Sequence, residues 1–97
     1  MLRIKREDEP GGRVALMVEG TIDAGPAGFL ESECSDLLGA GAAVSLDLAG
    51  VDLVDRKGLA ALKRLGCMGV EIRCRCGAVA NVLEAEGLRI SIMPSGD

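Results

Sequence analysis

The chain has 97 residues, 48% of them hydrophobic and 1% aromatic, and its formal net charge is -4 at pH 7. This length has room for one domain, residues 1–97, whose core must be aliphatic because Phe29 is the sole aromatic residue. The acidic balance and the shortage of rings for base stacking argue against a nucleic-acid partner. The sequence has no histidine, so the commonest general base and metal ligand is missing.

The N-terminal sequence and the cysteines favour a cytoplasmic protein. Residues 1–12 are rich in charge, and no segment has the roughly 20 apolar residues of a membrane span. We therefore expect cytoplasmic localisation without membrane insertion. Cys34, Cys67, Cys74 and Cys76 are expected to be reduced and free of metal, because the chain has no Cys-x-x-Cys motif. Cys76 is placed near a helix N-terminus, where thiolates are favoured, and is a candidate for redox chemistry.

Hydrophobic periodicity predicts an alternation of strands and helices. In chain order we expect strand Leu2–Lys5, strand Arg13–Glu19, a helix beginning near Pro26, strand Ala43–Leu48, helix Gly58–Leu65, strand Val70–Cys74, helix Ala78–Glu86 and strand Leu88–Ile92. A turn at residues 10–12 joins the first two strands into an antiparallel hairpin. Gly20 is expected to end the second strand, and Ala49–Val54 is expected to be a loop.

Each predicted helix carries an apolar stripe that should face the sheet. The stripes are Ala27, Leu30, Cys34, Leu37 and Leu38; Leu59, Leu62 and Leu65; and Val79, Val82 and Leu83. The element order is β-β-α-β-α-β-α-β, and right-handed crossovers make the later strands parallel. We therefore expect an α/β fold with a small mixed sheet of about five strands and three helices on one face.

Three segments carry a family resemblance. Val18–Asp23 reads as a strand followed by Gly-x-Ile-Asp, Val44–Asp55 as a hydrophobic strand that leads to an aspartate, and Gly58–Leu62 as Gly-Leu-x-x-Leu. In this order they resemble the STAS domain family, which is named for sulfate transporters and anti-sigma factor antagonists. The match runs in register from Leu2 to Ile92. The resemblance implies a STAS-like fold and a protein-binding function.

The largest departure from the family pattern lies before the second long helix. STAS domains typically carry Asp-Ser-Ser-Gly or Asp-Ser-Thr-Gly there, and a partner kinase, itself an anti-sigma factor, phosphorylates the hydroxyl before the glycine. This chain has Asp55, Arg56, Lys57 and Gly58 instead, so Lys57 occupies the position of the phosphorylated residue. The resemblance implies a partner-binding switch site formed by these four residues and Asp23, without the usual Ser/Thr phosphorylation switch.

Two cations in the first turn of a helix oppose the helix dipole, at a cost of about 0.3–1 kcal/mol when exposed. One interpretation is local pairing, in which Asp23 or Asp52 neutralises Arg56 or Lys57. The capping of the helix by Asp55 would then be purely structural. The other interpretation is a site for an anion or an acidic partner, formed by the two cations and the free helix N–H groups.

The residues leave three functions to compare. The first is a binding module that resembles anti-sigma factor antagonists and binds an anti-sigma factor or kinase-type partner, with Lys63 and Arg64 extending a basic strip. The second is a STAS scaffold or accessory subunit of a sensory complex or transporter. The third is an enzyme built on Asp23, Asp52 and Asp55, which we do not expect because no nucleophile or phosphate-binding motif accompanies them. No cofactor is expected, and a homodimer is left open.

Overall fold

A computed structural model describes residues 2–75 and 77–93, apart from the side chain of Met93. Its elements are β1 (Leu2–Glu9), β2 (Arg13–Ile22), α1 (Ala24–Gly39), β3 (Ala43–Val54), α2 (Arg56–Cys67), β4 (Glu71–Arg75), α3 (Ala78–Ala85) and β5 (Ser91–Met93). The strands lie in the order β1-β2-β3-β4-β5. β1 is antiparallel to β2, and every other neighbouring pair is parallel. The predicted mixed sheet is confirmed. Cys76 lies outside the described residues.

One aliphatic core lies between the sheet and the helices. Alternate residues of the two central strands contribute Val14, Leu16, Val18, Val44, Leu46 and Leu48. The helices contribute Ala27, Leu30, Cys34, Ala61, Leu62, Leu65, Ala80 and Leu83. Because all three helices pack into the same cluster as one face of the strands, they cover a single face of the sheet, as predicted. No helix among the described residues is long and apolar enough to cross a bilayer.

β2 and β3 are both longer than the sequence predicted. Gly20 does not end β2; it adopts a φ of 103° beside a register shift, and the strand continues to Ile22. Ala49–Val54 is strand and not loop, since after the shift Thr21 pairs with Leu53. Both predictions were wrong because a register shift between paired strands lets each strand continue past residues, such as glycine, that usually end a strand. The extension carries both strands to the start of α2.

One of the predicted helical stripes, that of α3, needs correction. Val82 is 46% exposed, and Ala80 takes its place in the core. With Ala80 and Leu83 toward the sheet, helical geometry turns Val82 toward the solvent. In α2, Leu62 and Leu65 are fully buried and Leu59 is partly buried against the core, as predicted, and Ala61 is fully buried as well.

Candidate functional site

The start of α2 is fixed by the residue that precedes it. The Asp55 backbone N–H donates to the Ile22 carbonyl oxygen at 3.1 Å, which joins the end of β3 to the end of β2. The Asp55 carboxylate accepts a hydrogen bond from the Gly58 backbone N–H at 2.7 Å. The predicted N-cap is therefore present, and a cap of this kind stabilises a helix by about 1 kcal/mol.

Gly58 lets α2 approach the sheet closely. It is buried, and a Cβ built on it would overlap the carbonyl oxygen of Ile22 and lie 2.9 Å from the carbonyl carbon of that residue. Both atoms belong to the main chain, so neither can move aside as a flexible side chain would. The sequence marked Gly58 by family resemblance, and the structure gives the physical reason for glycine.

Arg56 and Lys57 are exposed in the first turn of α2. The ion pairs between described residues all involve other side chains, so neither cation is paired with Asp23 or Asp52. Asp52 instead accepts a hydrogen bond from the Thr21 hydroxyl at 3.5 Å. The local pairing that would have made the two cations purely structural is therefore not found.

Asp23 lies in the neighbouring loop, directly after Ile22. It occupies the N-cap position of α1, but its side chain makes no capping hydrogen bond; its carbonyl oxygen accepts from the Ala27 N–H at 2.8 Å. Ile22 also accepts from Asp55, so the two loops lie side by side. The fold thus brings Asp23 to the same edge of the sheet as the start of α2. We call Asp23, Asp55, Arg56, Lys57 and Gly58 the switch site.

The next two cations of α2 do not extend a basic strip. Arg64 donates two hydrogen bonds to the Glu31 carboxylate on α1, at 2.7 and 2.8 Å, and Lys63 pairs with Glu86 at 3.2 Å. The Arg64 hydrogen bond holds the pKa of Glu31 below its usual value. Both charges are matched within the chain, so the prediction of a four-residue strip was wrong. Within α2, the cations without an ion pair to a described residue are therefore Arg56 and Lys57 in the first turn.

An exposed apolar side chain adjoins the switch site. Leu53, the second-last residue of β3, is 58% exposed and lies two residues before Asp55. A single exposed apolar side chain of this kind is common on protein surfaces. The exposure of Leu53 was not predicted, because its segment was expected to be a loop.

The next question is whether the switch site resembles a metal site or lies near the cleft of the domain. Within the described residues no group of three or more acidic or cysteine side chains is arranged to hold a metal ion, so Asp23, Asp52 and Asp55 form no such cluster. A cleft of about 610 Å³ lies at the other end of α2, beside Cys67 and Leu88. None of the switch-site residues lines this cleft.

These features define a small α/β domain with a mixed five-stranded sheet and a cationic helix start at its edge. The STAS domain family model matches residues 4–88, and the chain belongs to the STAS domain family. The resemblance carried by the sequence motifs is thereby confirmed. No curated protein matches the chain.

Solved structures share the fold. An anti-sigma factor antagonist from Mycobacterium paratuberculosis is 22% identical, with a TM-score of 0.77 over 90% of this chain and 79% of that one. The anti-sigma factor antagonist SpoIIAA in its unphosphorylated form is 12% identical, with a TM-score of 0.68 over 97% of this chain and 90% of that one. A protein called Mglu is 29% identical over 91% of this chain but only 19% of its own, with a TM-score of 0.50.

Proposed function

We propose that this STAS domain, residues 1–97, is a cytoplasmic, non-enzymatic binding module that acts as an anti-sigma factor antagonist. Its partner would be an anti-sigma factor or a related kinase-type protein, bound through the switch site. Two of the structures with this fold are named as anti-sigma factor antagonists, which supports the choice of partner. Binding would be constitutive with respect to this site, because Lys57 has no hydroxyl to phosphorylate.

The proposal rests on the exposure of Arg56 and Lys57 and on their lack of ion pairs with described residues. Both are exposed, and neither has an ion pair with another described residue. Placing them at a helix N-terminus costs about 0.3–1 kcal/mol each, and no ion pair with a described residue offsets that cost. A binding surface would gain two cations on a rigid frame from this arrangement.

The rigidity of that frame comes from its neighbours. Asp55 caps the helix and Gly58 packs against the main chain of Ile22, so the first turn is held on two sides. A preformed surface loses less conformational entropy when a partner binds. Arg56 and Lys57 suit an acidic patch on the partner.

A single comparison of variants tests the proposal. Tagged wild-type protein, Arg56→Ser/Lys57→Ser and Arg13→Ser/Arg89→Ser are used to capture partners from the native host, followed by mass spectrometry. The second double variant is a matched control, because it removes the same charge from two exposed positions at the opposite end of the sheet: Arg13, the first residue of β2, and Arg89, two residues before β5.

Wild type and control should capture an anti-sigma factor, and the switch-site variant should lose it. Capture of sensory-complex or transporter subunits in its place would favour a scaffold or accessory subunit and reject the antagonist role. Equal capture of an anti-sigma factor by all three proteins would support the partner but reject the switch site as the binding surface.

A further inference from the structure

β1 is an open edge of the sheet. The strand order places it beside β2 alone, and most of its eight residues are exposed. Its outer side therefore presents main-chain N–H and C=O groups that no other described strand pairs. An edge of this kind is a template for pairing with another strand, unless its side chains oppose that pairing.

The charges of β1 are sorted by sign along the strand. The first half carries the cations Arg3, Lys5 and Arg6, and the second half carries the anions Glu7, Asp8 and Glu9. Two parallel copies would set like charges opposite each other, whereas two antiparallel copies would set cations opposite anions. The separation of cations and anions along β1 therefore favours antiparallel over parallel pairing of two copies. A strand with its charges mixed along its length would not favour either orientation.

Register fixes which side chains would meet. Ile4 lies opposite the core residue Val18, so even-numbered residues face the helices and odd-numbered residues face the helix-free side. Arg3, Lys5 and Glu7 therefore point to the helix-free side, as does Glu9. These are the residues that can pair across a continued sheet without meeting α1.

We propose that two copies of this chain associate by antiparallel pairing of β1 about a two-fold axis at Arg6. Lys5 then lies opposite Glu7 of the second copy and Arg3 opposite Glu9, each twice by symmetry, with directly opposite Cβ atoms about 4.5–5.5 Å apart. The two Arg6 side chains meet on the axis, where each is already paired with Asp8 of its own chain at 2.9 Å.

Neighbouring registers are less favourable. An axis at Lys5 or at Glu7 would set that residue against its own copy, and neither has an ion pair with another described residue to offset the repulsion. Of these three axes, the one at Arg6 alone places its like-charged pair on a side chain with a compensating partner.

Charge reversal tests the pairing by sedimentation velocity over a concentration series at low salt. Wild type should dimerise, and added salt should weaken the dimer because the charges are exposed. Lys5→Glu and Glu7→Lys should each weaken it at least about tenfold, since each places like charges opposite each other twice. The double variant Lys5→Glu/Glu7→Lys restores unlike pairs and should recover the wild-type affinity.

Zero-length cross-linking locates the contact. In a mixture of isotopically light and heavy protein, a carbodiimide should join Lys5 of one copy to Glu7 of the other, giving a mixed-mass peptide. Circular dichroism checks that each variant is folded. A wild type that stays monomeric at every concentration overturns the proposal, and so does a dimer that survives either single reversal or fails to return in the double variant.

Discussion

Replacing Gly58 with alanine adds one methyl group where α2 meets β2. In an exposed helical position this change normally gains about 0.5–1 kcal/mol, because alanine restricts the unfolded chain. Here the new Cβ would overlap the Ile22 carbonyl oxygen and lie 2.9 Å from the carbonyl carbon. Because those atoms are main chain, the helix start must shift, and overpacking of this kind costs about 1–3 kcal/mol.

Gly66→Ala is the matched control in the same helix. The nearest atom to a Cβ there is Ile72 Cδ1 at 4.0 Å, which is an ordinary contact. Because the helix-propensity gain applies to both positions, the two variants should differ by the overpacking cost of about 1–3 kcal/mol in the free energy of unfolding, with Gly58→Ala the less stable of the two and Gly66→Ala at least as stable as wild type. For a domain of this size each kcal/mol shifts the melting temperature by about 4–8 °C.

Urea and thermal unfolding, followed by circular dichroism, measure both variants. A Gly58→Ala protein as stable as Gly66→Ala would refute the reasoning, because it would mean that α2 does not need a glycine to reach the end of β2.

Two further predictions concern titratable groups. Because Arg64 lowers the pKa of folded Glu31 below its ordinary 4.5, the Glu31 contribution to stability is complete above that pH and disappears as the pH falls through the folded value. Acid unfolding should therefore be less steep in Glu31→Gln than in wild type; equal acid sensitivity of the two proteins would contradict this. Burial raises the pKa of the Cys34 thiol to about 11, so peptide mapping after alkylation should find native Cys34 protected and exposed Cys67 labelled; equal rates would contradict the packing.

Hydrophobic alternation was sufficient to predict the fold class. The apolar stripes and turn residues are local signals, and they fixed the number and order of the elements. The ends of β2 and β3 were not predictable in the same way, because Gly20 and Ala49–Val54 look like a stop and a loop until pairing between the two strands is known. Val82 was assigned to the core because α3 is short, so that a stripe through Val82 and one through Ala80 both agree with helical spacing.

The residues of the proposed switch site were selected from the order of motifs, but their packing depends on contacts between residues distant in sequence. Gly58 packs on Ile22, which no local pattern reveals. The sequence predicts Arg64 as part of a basic strip, because local patterns do not reveal its pairing with Glu31, 33 residues away. Sequence reasoning thus placed Lys57 correctly at the helix start but overestimated the extent of the positive surface.

The most direct test of the central proposal is the affinity of the purified anti-sigma factor partner for three versions of the domain, measured by isothermal titration calorimetry with and without ATP. Arg56→Ser/Lys57→Ser should bind at least about tenfold more weakly than wild type, as expected when charge complementarity is lost. Arg13→Ser/Arg89→Ser should bind like wild type, and ATP should leave all three affinities unchanged. Equal affinities for the three proteins, or loss of wild-type binding on addition of ATP, would contradict a constitutive interaction through Arg56 and Lys57.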